Sequence, residues 1–207
     1  MKINNKIYYH IATNGHFKVG DKLHFENELN GQSRIFDFDF TNNGTPLYKL
    51  AFDSSKKGIF KDKKLMFELS KALSNYDLFM RETALEEVRK EKFPDLPSRF
   101  HCMFLTETKE DMLRAFNKYK TMKNSNKYFK TLSIRNKNDT YQALAVKLNG
   151  TAFFVKDCSI SREGVSYNEY KKKAVEFWSQ NQKSKNKTKE ILFIGDAEIV
   201  EVIDEVK

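Results

Sequence analysis

From its start to about residue 60 the chain alternates short apolar runs with polar breaks, a pattern of strands and loops. Lys6-Ile7-Tyr8-Tyr9-His10-Ile11 reads as an opening strand over residues 6 to 12, which breaks at Thr13-Asn14-Gly15. A turn follows at Gly20-Asp21. The run Ile35-Phe36-Asp37-Phe38-Asp39-Phe40 then puts three phenylalanines on one strand face and two aspartates on the other, before a break at Asn42-Asn43-Gly44. From residue 62 to residue 92 the period lengthens to that of a helix. Leu65, Met66, Leu69, Ala72, Leu73, Tyr76, Phe79 and Met80 form one stripe, Ala84, Leu85 and Val88 continue it, and Phe93-Pro94 closes the segment. One helix, or two broken near Ser74-Asn75, fits this pattern equally. A second helix is expected from Thr108, buried through Met112, Ala115, Phe116 and Tyr119. Ser166-Tyr167-Asn168-Glu169 has capping-box form and opens a third, with Tyr170, Ala174, Phe177 and Trp178 on one side.

The remaining apolar runs read as strands: Phe100 to Thr106, Tyr128 to Ile134, Tyr141 to Leu148, Thr151 to Val155, Glu190 to Ile194 and Ile199 to Ile203. Asn149-Gly150 is the dipeptide of a tight hairpin turn. Strands and a helix come first, then a strand-rich second half with a late helix. This order predicts an α+β fold in a single domain, residues 1–207, with the helical segment at about 62–92. Neither a G-x-G-x-x-G after a strand nor a P-loop is present, which argues against dinucleotide-dependent dehydrogenases and nucleotide kinases.

Composition narrows the class. With 40% hydrophobic and 14% aromatic residues the 207-residue chain can fill a core. No run approaches the roughly 18 apolar residues of a membrane span, and the N-terminus lacks the layout of a secretory signal, which predicts a cytoplasmic protein without a membrane partner. Cys102 and Cys158 have neither metal-ligand nor redox spacing and read as reduced thiols, and Asp37 and Asp39 read as a solvated strand face rather than a metal site. The net charge of +9 favours anionic partners. Basic residues concentrate in Lys118–Lys130, interleaved with aromatics, and in Lys183–Lys189. The first stretch has the side chains for phosphate pairing with base stacking, although solvated lysine-rich loops account for both.

Three separated pieces resemble the ADP-ribosyltransferase superfamily in its His-Tyr-Glu branch. They are Tyr8-Tyr9-His10-Ile11-Ala12-Thr13; Pro97 to Thr108 with the following helix through Arg114-Ala115-Phe116; and Phe177-Trp178 with Lys189-Glu190-Ile191-Leu192-Phe193-Ile194-Gly195 and the strand after it. The resemblance implies an α+β fold of split mixed or antiparallel sheets with flanking helices, and NAD as substrate. His10 would bond a ribose of NAD, Phe104 would stand where the branch has a stacking tyrosine, and Glu190 would be the catalytic acid. Arg99 is the candidate anion contact, because a guanidinium can grip two oxygens.

Cleavage of the nicotinamide glycosidic bond develops oxocarbenium character, which a carboxylate bonded to a ribose hydroxyl stabilises. The expected activity is therefore NAD-dependent ADP-ribosyl transfer, or NAD glycohydrolysis, with a nucleic acid or a protein as acceptor. Phenylalanine in place of tyrosine keeps the stacking face and loses the hydroxyl. That loss keeps two alternatives open: a catalytically inactive binding relative, and a basic nucleic-acid-binding domain. Each site residue also has a structural reading: His10 as a satisfied strand histidine, Phe104 as core, Arg99 as a surface or capping group, and Glu190 as a solvent-facing strand end beside the rival acids Glu198 and Glu201.

Overall fold

The computed structural model describes residues 1–13, 15–26, 63–124, 140–156, 165–180 and 190–206. The expected features at residues 35–44, the strand at 128–134, the basic loop 183–189, the end of the lysine-aromatic stretch and Cys158 lie outside them. Among the described residues five strands and three helices follow in the order β1 (Lys2–Thr13), β2 (Lys22–Phe25), α1 (Lys63–Lys92), β3 (Met103–Leu105), α2 (Lys109–Asn124), β4 (Tyr141–Val155), α3 (Tyr167–Trp178) and β5 (Glu190–Val206). The class is α+β, as the sequence predicted, and the described strands form one antiparallel sheet with flanking helices rather than split sheets. The helical segment is one unbroken helix.

The largest departure from the sequence reading concerns two glycines. Asn149-Gly150 does not make a hairpin and Gly195 does not end a strand; β4 and β5 each run straight through them. The two glycines face each other across the ladder, Gly150 opposite Gly195. A Cβ on Gly150 would lie 2.2 Å from the Ile194 carbonyl oxygen, and one on Gly195 would lie 2.6 Å from that of Asn149. Gly195 also holds φ at 127°. These glycines serve close backbone approach inside a bending ladder, a use that has the same local composition as a turn.

The two long strands form the spine of a sheet ordered β1-β4-β5-β2, with β3 beside β2 on the outer edge of β5. The N-terminal part of β4 pairs with β1, while Ile191–Phe193 of β5 pair with β3 and Gly195–Glu198 with β2. A single two-bond rung, Tyr9 N–H to the Thr106 carbonyl at 3.1 Å and the reverse at 2.9 Å, joins β1 to the end of β3 and closes the path on itself. From His10 the ladder leads through Leu144 to Val202 on one side; on the other, through that rung, it leads to the opposite end of β5. The sheet is therefore strongly coiled.

Alternation along the coiled strands sorts side chains into an inner and an outer set. Tyr8, Ala12, Met103, Leu105, Leu144, Val146, Leu148, Ala152, Ile191 and Phe193 fill the inner core. On the outside, Phe153, Val155 and Leu192 pack under α1 and α3 through Ala84, Leu85, Val88, Tyr170, Ala174, Phe177 and Trp178. Met112 and Phe116 of α2 cover Tyr141 and Ala143. Trp178 donates its indole N–H to the Leu85 carbonyl at 2.8 Å, and the Tyr170 hydroxyl donates to Asp77 at 2.6 Å, so α3 is fastened to α1 at both ends. Ser166 caps α3, its hydroxyl accepting from the Glu169 N–H, and Thr108 accepts from the Asp111 N–H at the start of α2. Leu73 and Tyr76, expected on the buried stripe of α1, are exposed; the buried line instead runs through Leu78, Glu82, Leu85 and Val88.

Gly195→Ala should lower unfolding stability by at least about 2 kcal/mol, from positive-φ strain and the clash with β4 together, measured by urea denaturation. A change within a few tenths would contradict the close-approach role.

Candidate functional site

Five segments converge on the outer face beneath α1 and α3. The buried line of α1 carries a carboxylate, Glu82, 1% exposed. The turn after Pro97 delivers Arg99, β3 delivers Phe104, α3 delivers Phe177, and the first residue of β5 is Glu190. Arg99 Nε donates to Glu82 Oε2 and Nη1 to Glu190 Oε2, each at 2.9 Å. Arg81 donates to the other oxygen of Glu82, with Nε at 3.1 Å. The guanidinium lies 5.0 Å from the Phe104 ring centre and 5.4 Å from that of Phe177. The result is a chain of alternating charges, Arg81–Glu82–Arg99–Glu190, set against aromatic walls.

Burial pushes the Glu82 carboxyl up, but Arg99 and Arg81 together hold it below the usual carboxylate range. Burial likewise works against charge on Arg99, and Glu82 and Glu190 outweigh it and raise its pKa. Both groups stay ionised. Cys102, next to this cluster and fully buried, has its thiol pushed far up by desolvation and is no nucleophile.

Glu190 differs from Glu82 in accessibility, with its side chain 29% exposed. Arg99 fixes its Oε2, and Oε1 has no hydrogen-bond partner among the described residues. The rival acids are surface pairs, Glu198 with Lys147 at 3.4 Å and Glu201 with Lys109 at 3.2 Å.

His10 meets the cluster from the other side of the sheet. Past the Tyr9–Thr106 rung, the next antiparallel pair would bring the Ile11 N–H to the Phe104 carbonyl. That carbonyl instead accepts from His10 Nδ1 at 2.9 Å, so the imidazole takes the place of that ladder bond. Burial lowers the His10 pKa more than the carbonyl raises it, which leaves a neutral ring with its proton on Nδ1 and a lone pair on Nε2. One step past the Leu105–Ile191 pair, the register sets Thr106 against Glu190, so Tyr9, Thr106 and Glu190 form a row. The backbones of His10 and Glu190 thus stand about two strand spacings apart, roughly 10 Å. Their side chains leave opposite faces: Glu190 shares the outer face with Val155, while His10 lies opposite Leu144 on the inner one.

The structure therefore gathers Arg99, Phe104 and Glu190 into one contact set and links His10 to it through the Phe104 backbone. The sequence reading missed Glu82 and Arg81. The signal for Glu82 was present, because it stands four residues after Leu78 and three before Leu85, a carboxylate on an apolar helical line. Also unforeseen is exposed His24, with Nδ1 2.7 Å from Asp196 and Nε2 3.1 Å from Glu26; the bonds to both acids raise its pKa. No group of three or more His, Cys, Asp or Glu suited to a metal occurs among the described residues, and no helix among them is long and apolar enough to cross a membrane.

A family model described as a protein of unknown function, DUF2441, matches residues 8–205. The chain belongs to that family. The match runs from β1 into β5 and so includes His10, Glu82, Arg99, Phe104 and Glu190. No match to a curated protein was found.

Glu82→Gln should cost about 3–5 kcal/mol at neutral pH, because it leaves the buried Arg99 and Arg81 guanidinia short of a counter-charge. The Glu82 pKa in the folded state is below its reference value of 4.5, so its stabilisation is complete above that pH and is lost as pH falls through the folded value. Urea midpoints measured from pH 7 down to pH 2 should show a shallower acid limb in the variant.

Proposed function

We propose that this protein binds NAD and transfers its ADP-ribosyl group, with Glu190 as the charge-stabilising acid. The observation that carries the reading is the state of that carboxylate. It is partly exposed at the start of β5, oriented through one oxygen by a buried arginine, and has its second oxygen unengaged. Such a group can accept a hydrogen bond from a ribose hydroxyl without moving, as charge stabilisation in a transition state requires. In the step itself the ribosyl C–N bond breaks and its electron pair leaves with nicotinamide. The ribose carbon becomes electron-deficient, and an oxygen or nitrogen of the acceptor attacks it and gives up a proton. Arg99 is here a positioning residue, since its Nε and Nη1 grip carboxylates of the chain itself. Phe104 contributes to the wall holding that guanidinium, and His10 offers Nε2 as an acceptor for a hydroxyl. The net charge of +9 suits an anionic acceptor such as nucleic acid.

A second reading, a relative that binds a ligand without turning it over, is favoured by one specific observation. His10 and Glu190 leave opposite faces of the sheet, so a ligand must pass round the end of the β1–β3 seam to touch both.

Incubation with NAD, followed by assay of released nicotinamide and of labelled protein, DNA or RNA, separates the two. Under the first reading Glu190→Gln should reduce turnover by about 10²–10³-fold with unchanged circular dichroism. Equal rates in parent and variant would remove Glu190 from the chemistry. Saturable NAD binding with no nicotinamide release establishes the second reading.

A further inference from the structure

A histidine with a carboxylate at each ring nitrogen stands on the edge of the sheet. His24 of β2 has Nδ1 2.7 Å from Oδ1 of Asp196, its cross-strand partner on β5, and Nε2 3.1 Å from Oε2 of Glu26. Only one protonation state meets both contacts. The imidazolium donates from both nitrogens, whereas a neutral ring carries a single N–H and must turn a lone pair toward one of the two carboxylates. The bonds to Asp196 and then Glu26 raise the His24 pKa above its ordinary 6.5, in line with that geometry. All three side chains are more than half exposed, so the ring exchanges its proton directly with solvent.

The strand that carries this histidine has few other holds. β2 is four residues long, and among the described residues its pairing is with β5 alone. On the side away from His24, Leu23 and Phe25 pack, partly buried, against the inner core. The other charged groups facing this place from β2, β5 and β4 are Lys22, Glu198 and Lys147. Lys22 stands opposite Glu198, which Lys147 already bonds at 3.4 Å, and Asn149, opposite Asp196 on β4, is neutral. Among the described residues His24 is thus the one cationic partner of both Asp196 and Glu26.

We propose that His24 is a proton-operated clasp, whose imidazolium bridges Glu26 of β2 to Asp196 of β5 and pins the edge strand to the sheet, and whose deprotonation loosens that strand. A short edge strand belongs to the low-stability end of a fold, where a contact of this size changes how often the segment opens. Because the folded-state pKa is raised, the stabilisation is complete below the reference value of 6.5 and is lost as pH rises through the folded value. Leu23 and Phe25 leave the core rim with the strand, so pH sets how much apolar surface this edge shows. The clasp rests on its own contacts and operates whether or not Glu190 takes part in NAD chemistry.

The test is amide hydrogen exchange of the full chain, followed by NMR at Leu23, His24 and Phe25 from about pH 5 to about pH 8.5, beside titration of the His24 ring. Protection of these amides, corrected for the intrinsic effect of pH, should fall at least about threefold as the ring loses its proton. Leu144 and Val146, in the middle of β4, should not follow. In His24→Gln the protection of β2 should stay flat over the range. Glu26→Gln, whose amide can donate to the Nε2 lone pair, should shrink the fall and lower the titration midpoint. The proposal is overturned if His24 titrates at or below 6.5, if β2 protection stays level while the ring titrates, or if His24→Gln shows the parent's fall.

Discussion

The guanidinium of Arg99 is the interaction on which the outer half of this molecule depends. It draws a helix, a turn, a strand edge and the start of the last strand to one point, because a buried cation must be neutralised and its donors must be met. Glu82 supplies the fully buried counter-charge and Glu190 the accessible one, and Phe104 and Phe177 bracket the guanidinium. The same contacts decide the character of Glu190. A carboxylate that bonds a buried arginine through one oxygen and keeps the other unengaged is fixed in direction at no further cost when a ligand arrives. Structure and candidate chemistry share one network, so any substitution in it acts on both.

A second constraint sets where this network can form. The closed path β1-β4-β5-β3 requires β4 and β5 to bend while staying paired, and the opposed Gly150 and Gly195 let the backbones approach where a Cβ would collide. Coiling then divides each strand strictly between an inner and an outer face. Glu190, Phe104 and Val155 go outward to the helices; Tyr8, His10, Leu144 and Phe154 go inward. The single rung between Tyr9 and Thr106, followed by the His10 imidazole on the Phe104 carbonyl, is the seam where the two faces come closest.

The helices and the fold class were legible in the sequence because their signals are local. The Ser166–Glu169 cap, the stop at Phe93-Pro94 and the apolar side of α3 lie within a few residues of what they control. The glycine-marked breaks misled for the opposite reason. A glycine needed for a turn and one needed where two backbones cross look alike until the opposing strand is known, and that strand is some 45 residues away (195 − 150). Tyr76 and Leu73 misled in the same way: they fit a helical stripe, but only the position of α3 decides which stripe is covered.

Of the candidate site, residue types and order were readable: a strand histidine, an arginine after proline, an aromatic in a short strand, and a glutamate opening the last strand. Sequence alone determined an α+β domain with capped helices and a basic surface, since propensity, periodicity and charge are properties of neighbouring residues. The tertiary structure alone decided that Arg99 turns its donors to the carboxylates of its own chain, that Glu82 joins it, and that His10 and Glu190 leave opposite faces. Those outcomes depend on register and sheet coiling, which are fixed by pairings between distant strands and not by any residue's immediate surroundings.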